Sequence, residues 1–114
     1  MTFLFLIPLA IIQSFSTLQS VEEFIQSMDK EHVLIDVRTP EEFSEGHLPN
    51  ALNISVTSLN FPFEISKLNK EQTVLVYCRS GKRSARAAMT LKALGFEKIY
   101  ELRGRYKAWL AAQD

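Results

Sequence analysis

The chain has 114 residues, 46% of them apolar, with thirteen basic and thirteen acidic side chains that cancel to zero net charge. That size and balance describe one domain of ordinary composition and exclude wholesale disorder, a multi-span membrane protein and the electrostatic footprint of a non-specific nucleic-acid binder. One cysteine and two histidines exclude an intramolecular disulfide framework and provide no zinc-ligand spacing, so neither a disulfide scaffold nor a metal module is expected.

No charged side chain precedes Glu22, and Phe3 to Ile12 is an apolar run. As a helix this run reaches roughly 15 Å, half the hydrocarbon thickness of a bilayer, too short to span comfortably. It has the length of a signal-peptide core, and Ser14 and Ser16 put small residues at the minus-three and minus-one positions of a cleavage site. The expectation is a signal peptide over residues 1–16 and a domain over 17–114, exported to the periplasm or beyond, with no stable membrane span once the leader is removed. The missing Lys or Arg ahead of the run leaves alternatives open: an uncleaved membrane-surface anchor, or a packed N-terminal strand or helix in a cytoplasmic protein.

After the leader, short strands and helices alternate. Ser20-Val-Glu-Glu23 is a capping box, and Val21, Phe24, Ile25 and Met28 follow at helical spacing, so residues 21–29 are expected to be helical. Val33 to Val37 reads as a buried strand. Thr39-Pro-Glu-Glu42 is a second capping box with proline at the first helical position, starting a helix that stops near Gly46. Asn53 to Val56 is a short strand candidate, and Phe63 to Leu68 a short helix after Pro62. Thr73 to Tyr77 is the clearest strand. Ala85, Ala88, Met89, Leu91 and Leu94 then mark an amphipathic helix ended by Gly95. Lys98 to Tyr100 reads as a last strand and Tyr106 to Ala112 as a terminal helix carrying Trp109. This alternation predicts an α/β domain with a small central, mostly parallel β-sheet flanked by helices.

The chemistry concentrates after the strand that ends at Tyr77. From Glu22 to Glu71 there are ten acidic and four basic residues, whereas Arg79 to Lys107 holds nine basic residues against Glu97 and Glu101. Segregated signs alone describe a solvated surface. Here, however, Cys78 stands at the carboxyl end of an apolar strand, where open α/β sheets bind ligands, and Arg79, Lys82, Arg83 and Arg86 follow at once. The loop amides and the first turn of the next helix form an anion cradle facing the thiol. Gly81 permits the tight curl. A free cysteine is usually a small buried hydrophobe, but cations and a helix start beside the sulfur stabilise a thiolate and point to a nucleophile. A lone cysteine in an exported protein points the same way.

Three segments in this order resemble the single-domain rhodaneses, a sulfurtransferase family: Leu34-Ile-Asp-Val-Arg38 with Thr39-Pro-Glu-Glu-Phe43; Glu45-Gly-His-Leu-Pro-Asn-Ala-Leu-Asn-Ile54; and Val76-Tyr-Cys-Arg-Ser-Gly-Lys-Arg-Ser84. The resemblance covers residues 18–113. It implies a rhodanese-like fold and a ping-pong reaction without metal or organic cofactor. Cys78 would take sulfane sulfur from thiosulfate or a related small anionic donor as a persulfide and pass it to cyanide, another thiophilic acceptor or a protein. By position, Arg79, Ser80, Gly81, Lys82, Arg83 and Ser84 bind the substrate, with Arg79, Lys82 and Arg83 as candidate thiosulfate contacts. Asp36 and Arg38 would support the loop, an ordinary structural ion pair being the alternative reading of those two. His47 reads as structural and His32 as exposed. Two departures from the family pattern stand out: Arg103-Gly-Arg105 replaces a Gly-Gly ahead of Trp109, and Asn50 replaces a glycine, at a position where asparagine tolerates positive φ.

The rival enzymes of related fold, dual-specificity phosphatases and arsenate reductases, use a Cys-x5-Arg loop wide enough for a tetrahedral phosphate. Here Arg83 is five positions after Cys78, one residue shorter, and the loop has no acidic general acid. A non-catalytic docking module is the second alternative, and the intact Cys78 with its basic loop argues against it.

Overall fold

Two apolar runs, Val33–Val37 and Thr73–Tyr77, build the centre of the sheet. A computed structural model describes residues 32–102 together with the backbone of Thr17–Leu18. The elements are β1 (Thr17–Leu18), β2 (His32–Asp36), α1 (Pro40–Glu45), β3 (Leu52–Asn53), α2 (Phe61–Ser66), β4 (Thr73–Tyr77), α3 (Lys82–Ala93) and β5 (Ile99–Leu102). The five strands lie in the order β1-β5-β4-β2-β3, and every pairing is parallel. β2 and β4 run side by side from His32 opposite Thr73 to Asp36 opposite Tyr77, so their carboxyl ends are level.

Parallel strands need both faces covered, and strand alternation divides the core accordingly. Val33, Ile35, Val74 and Val76 point to the face covered by Phe61 and Ile65 of α2 and by Ala87, Ala88 and Leu91 of α3. Leu34, Leu75 and Tyr77 point to the other face, where Leu48 and Leu102 pack. The chain steps in one direction across the sheet from β3 to β4 to β5, so right-handed crossovers put α2 and α3 on one face, while the reverse step from β2 to β3 puts α1 on the other. Each fully buried Leu or Ile contributes about 1.5–3 kcal/mol.

The expected elements are present with shifted edges. α1 starts as the capping box requires: Thr39 Oγ1 accepts from Glu42 N–H at 3.2 Å, and Glu42 Oε1 accepts from Thr39 N–H at 3.0 Å. Phe61 and Pro62 lie inside α2, because proline lacks its N–H where the first helical turn has no acceptor for one. β3 is Leu52–Asn53 rather than 53–56, although Ile54 and Val56 N–H still bond to Asp36 and Val37 carbonyls at 3.0 and 3.1 Å. β5 extends to Leu102, beyond the expected Tyr100.

α3 begins at Lys82, ahead of the expected apolar stripe, since the polar residues 82–84 form its first turn. Its buried face is Ser84, Ala87, Ala88 and Leu91, and Met89, expected in the stripe, is 62% exposed. His32, expected to be exposed, is half-buried as the first residue of β2. Asn50 has φ 66°, the left-handed conformation asparagine tolerates. The leader over 1–16, the helix over 21–29, the Arg103-Gly-Arg105 turn and the terminal helix with Trp109 lie outside the described residues.

Candidate active site

The site is assembled where β4 ends. Tyr77 is the last residue of the strand, Cys78 follows it, and Gly81 is the N-cap of α3. Gly81 adopts φ 106°, a conformation costly for a residue with a Cβ, and this turn folds the helix N-terminus back over the sulfur. Cys78 Sγ accepts N–H bonds from Gly81 at 3.0 Å and from Ser84 at 3.3 Å. Ser84 Oγ donates to the Gly81 carbonyl at 3.1 Å, pinning the curl from inside. Two donors aimed at one sulfur, at the positive end of a twelve-residue helix, favour negative charge there.

The thiol has no exposed surface, and Gly81 and Ser84 are buried with it. Arg79, Ser80 and Lys82 stand outside, exposed, as does Arg86 one turn into α3. Arg83 differs from these. Its Nη1 and Nη2 donate to Oε1 and Oε2 of Glu42 at 2.7 and 3.0 Å, a bidentate pair between α3 and the cap of α1. That pair holds the Glu42 carboxyl at about 2, well below its ordinary value, with the Thr39 bonds adding to the Arg83 effect and burial opposing it. Arg83 is correspondingly held more firmly protonated, chiefly by Glu42, with the Cys78 charge adding to it. The guanidinium put forward as a thiosulfate contact is thus already engaged.

Asp36 and Arg38 form a buried pair at the level of Cys78 on the neighbouring strand end. Arg38 Nη2 reaches Asp36 Oδ2 at 2.6 Å and also donates to the Gly46 carbonyl at 2.6 Å. Arg38 Nε and its own N–H bond Asp36 Oδ1, each at 2.9 Å. Tyr77, unremarked in the sequence except as strand, joins this network. Its hydroxyl donates to Asp36 Oδ2 at 2.8 Å and accepts from Leu48 N–H at 2.9 Å. Arg38 also lies over the Tyr77 ring at 5.8 Å. Burial, reinforced by the Asp36 charge, pushes the phenol far above its ordinary value, so it stays a proton donor. Asn53 Nδ2 adds bonds to the Asp36 and Arg38 carbonyls at 3.0 and 2.9 Å. These residues tie together the carboxyl ends of β2, β3 and β4, the platform from which Cys78 projects.

His47 stacks on Phe43 at 3.6 Å between ring centroids and shares a 2.8 Å contact between Nδ1 and the Phe43 carbonyl, closing the end of α1. Sequence reasoning found Glu42 only as a cap. Its link to Arg83 joins positions 41 apart, and nothing local to either marks it.

Comparison with known proteins agrees with this architecture. The rhodanese-like domain family matches residues 20–112. A sulfurtransferase of Allochromatium vinosum is 39% identical over 77 residues, covering 68% of this chain and 70% of that protein. The thiosulfate sulfurtransferase GlpE of Coxiella burnetii is 39% identical over 79 residues, covering 69% and 72%. Among solved structures, the human single-domain sulfurtransferase TSTD1 superposes with a TM-score of 0.72 at 26% identity, covering 88% of this chain and 98% of that one. A rhodanese-like domain protein from Staphylococcus aureus gives 0.71 at 28% identity, covering 82% and 90%. With its parallel sheet, its thiol cradled at the start of α3 and this match over residues 20–112, the chain belongs to the single-domain rhodanese family.

Proposed function

We propose that this protein is a sulfurtransferase that moves sulfane sulfur from thiosulfate, or a donor of the same anionic class, to cyanide or another thiophilic acceptor. The observation that carries this reading is the cradle: Cys78 Sγ receives two backbone N–H bonds at the N-terminus of α3. The thiolate attacks the outer sulfur of thiosulfate, the donor's S–S bond breaks, and sulfite leaves with the electron pair. The persulfide then carries its charge on the outer sulfur. Beyond Ser84, the amides of Lys82 and Arg83 lead the helix without intrahelical acceptors, because the first such bond runs from Ala85 N–H to the Gly81 carbonyl. These amides are the donors available to an outer sulfur. Attack by cyanide on that sulfur releases thiocyanate and returns the thiolate, so neither half-reaction needs an added oxidant or reductant.

Cys78 is fully buried behind the turn from Arg79 to Gly81, where Arg79 and Ser80 are exposed. The exposed Arg79 and Lys82 attract the anion to that turn. A phosphatase reading is weaker on two counts: the loop is one residue shorter than Cys-x5-Arg, and its arginine is held by Glu42. The test is thiocyanate formation from thiosulfate and cyanide, run beside p-nitrophenyl phosphate hydrolysis, for the wild type and Cys78→Ser. Thiocyanate that depends on Cys78, without phosphate release, is the expected result. A folded wild type that makes none would favour the docking module, and one that releases phosphate would favour the phosphatase.

The apolar run from Phe3 to Ile12 with Ser14 and Ser16 supports export with cleavage after Ser16. Mass spectrometry of protein from its native host tests it, and an intact Met1 would overturn it.

A further inference from the structure

Two motifs far apart in the chain meet at one ion pair beside the cradle. Glu42 Oε1 receives Thr39 N–H at 3.0 Å and Thr39 Oγ1–H at 3.1 Å, as the cap of α1 requires. The same carboxylate is gripped from the other side by the Arg83 fork, at 2.7 and 3.0 Å. Arg83 is the second residue of α3 and immediately precedes Ser84, whose amide bonds the Cys78 sulfur. The side chains of Arg83 and Glu42 are 27% and 30% exposed, so the pair is partly shielded from water. Fork-to-carboxylate geometry of this kind fixes both partners, unlike a surface pair of flexible chains. Around the mouth, Arg79 and Lys82 keep exposed charges, whereas the charge of Arg83, on the residue next to the sulfur's own amide donor, is cancelled by Glu42.

We propose that Glu42 is a specificity-determining residue of the Cys78 site: by neutralising Arg83 it lowers the positive potential over the sulfur and sets how steeply the site selects donors by their negative charge. The consequence for donors rests on the sulfurtransferase reading, but the charge effect does not. With Glu42 present, dianionic and monoanionic donors are discriminated less than the basic loop alone dictates, and without it the site turns toward dianions. Because the carboxyl titrates only at about 2, it stays ionised and the neutralisation persists at every pH of ordinary function.

The single cysteine lets the charge be read directly at Cys78, with iodoacetate and iodoacetamide as an anionic and a neutral reagent of similar size. Their rate ratio cancels access to the buried sulfur and thiolate fraction, which both reagents share. Glu42→Gln is expected to raise the iodoacetate to iodoacetamide ratio and Arg83→Gln to lower it. Each shift should be on the order of three- to tenfold at low salt, as one unpaired charge near a partly shielded site gives. It should shrink in about 1 M salt, where screening acts within roughly 3 Å. The double variant, again neutral, is expected to return to the wild-type ratio.

A merely structural tie between α1 and α3 moves both single variants the same way, because either substitution breaks it. Shifts of the same sign, no shift, or a double variant unlike the wild type would overturn the proposal. So would a folded protein whose Cys78 reacts with neither reagent. Glutamine at 42 keeps an oxygen for Thr39 N–H, and circular dichroism checks the fold. If a glutamine variant fails to fold, the methionine variants make the same charge change. In the thiocyanate assay, Glu42→Gln is expected to lower the KM for thiosulfate more than that for monoanionic methanethiosulfonate. No turnover in the wild type with the alkylation pattern intact defeats the sulfurtransferase reading alone. Turnover without that pattern defeats this inference alone.

Discussion

Removal of one oxygen, in Tyr77→Phe, tests the platform beneath Cys78. Tyr77 is fully buried, and phenylalanine keeps its ring among Leu34, Leu48, Leu75 and Leu102. What disappears is a hydroxyl that donates to Asp36 Oδ2 at 2.8 Å and accepts from Leu48 N–H at 2.9 Å. A hydrogen bond to a charged group is worth about 1.5–3 kcal/mol, and a buried N–H left without an acceptor costs about 1–3 kcal/mol. The two losses overlap, since both groups can relax toward each other's vacated space, so the expected destabilisation is roughly 2–4 kcal/mol. Against a stability of about 5–15 kcal/mol for a domain this size, that is a large fraction. Urea unfolding at fixed pH measures it as a lower midpoint at an unchanged slope. A loss below about 0.5 kcal/mol, the scatter of a surface substitution, would refute the view that the hydroxyl satisfies two buried partners.

Three further outcomes are expected. Asn50 sits at φ 66°, so Asn50→Ala should cost about 1–2 kcal/mol while Asn50→Gly stays near neutral, a contrast that urea unfolding resolves. The Glu42 carboxyl is depressed to about 2 from an ordinary 4.5. Its stabilisation is therefore present above about pH 4.5 and lost as pH falls through about 2. After discounting for its partial exposure, the stability gap between wild type and Glu42→Gln should be about 1–2 kcal/mol at pH 7 and close toward pH 2; a gap that does not change with pH would contradict the pairing. Arg79→Ala and Lys82→Ala should each raise the KM for thiosulfate about two- to fivefold at low salt with little change in kcat, since an exposed charge steers a donor through a screened field. An effect of the same size at high salt would point to loop distortion instead.

Local signals were enough for much of the fold. The capping box at Thr39 placed the start of α1, the apolar run Thr73–Tyr77 gave β4 to the residue, and strand–helix alternation implied a parallel sheet, because capping and periodicity are written in neighbouring residues. Cys78, followed by Gly81 and cations, was legible as a cradle for the same reason: the strand end, the turn and the helix start are contiguous. The start of α3 is not marked by periodicity, because polar residues 82–84 open the helix ahead of its apolar stripe, and Met89 turns outward because only packing decides which part of that stripe meets the sheet.

Only the tertiary structure decided what the charged and polar residues of the site do. A guanidinium looks equally able to bind thiosulfate or a carboxylate until something folds against it. For Arg83 that partner is Glu42, brought across 41 positions by the step from α1 to α3. In the sequence Tyr77 is only the last residue of a strand; the level register of β2 and β4 sets its hydroxyl against Asp36. Burial of the Cys78 sulfur depends likewise on the left-handed turn at Gly81 closing over it. Sequence order specified which groups were present and which were neighbours along the chain. Long-range pairing, a property of the packed sheet and helices together, determined which charges were left to meet a substrate.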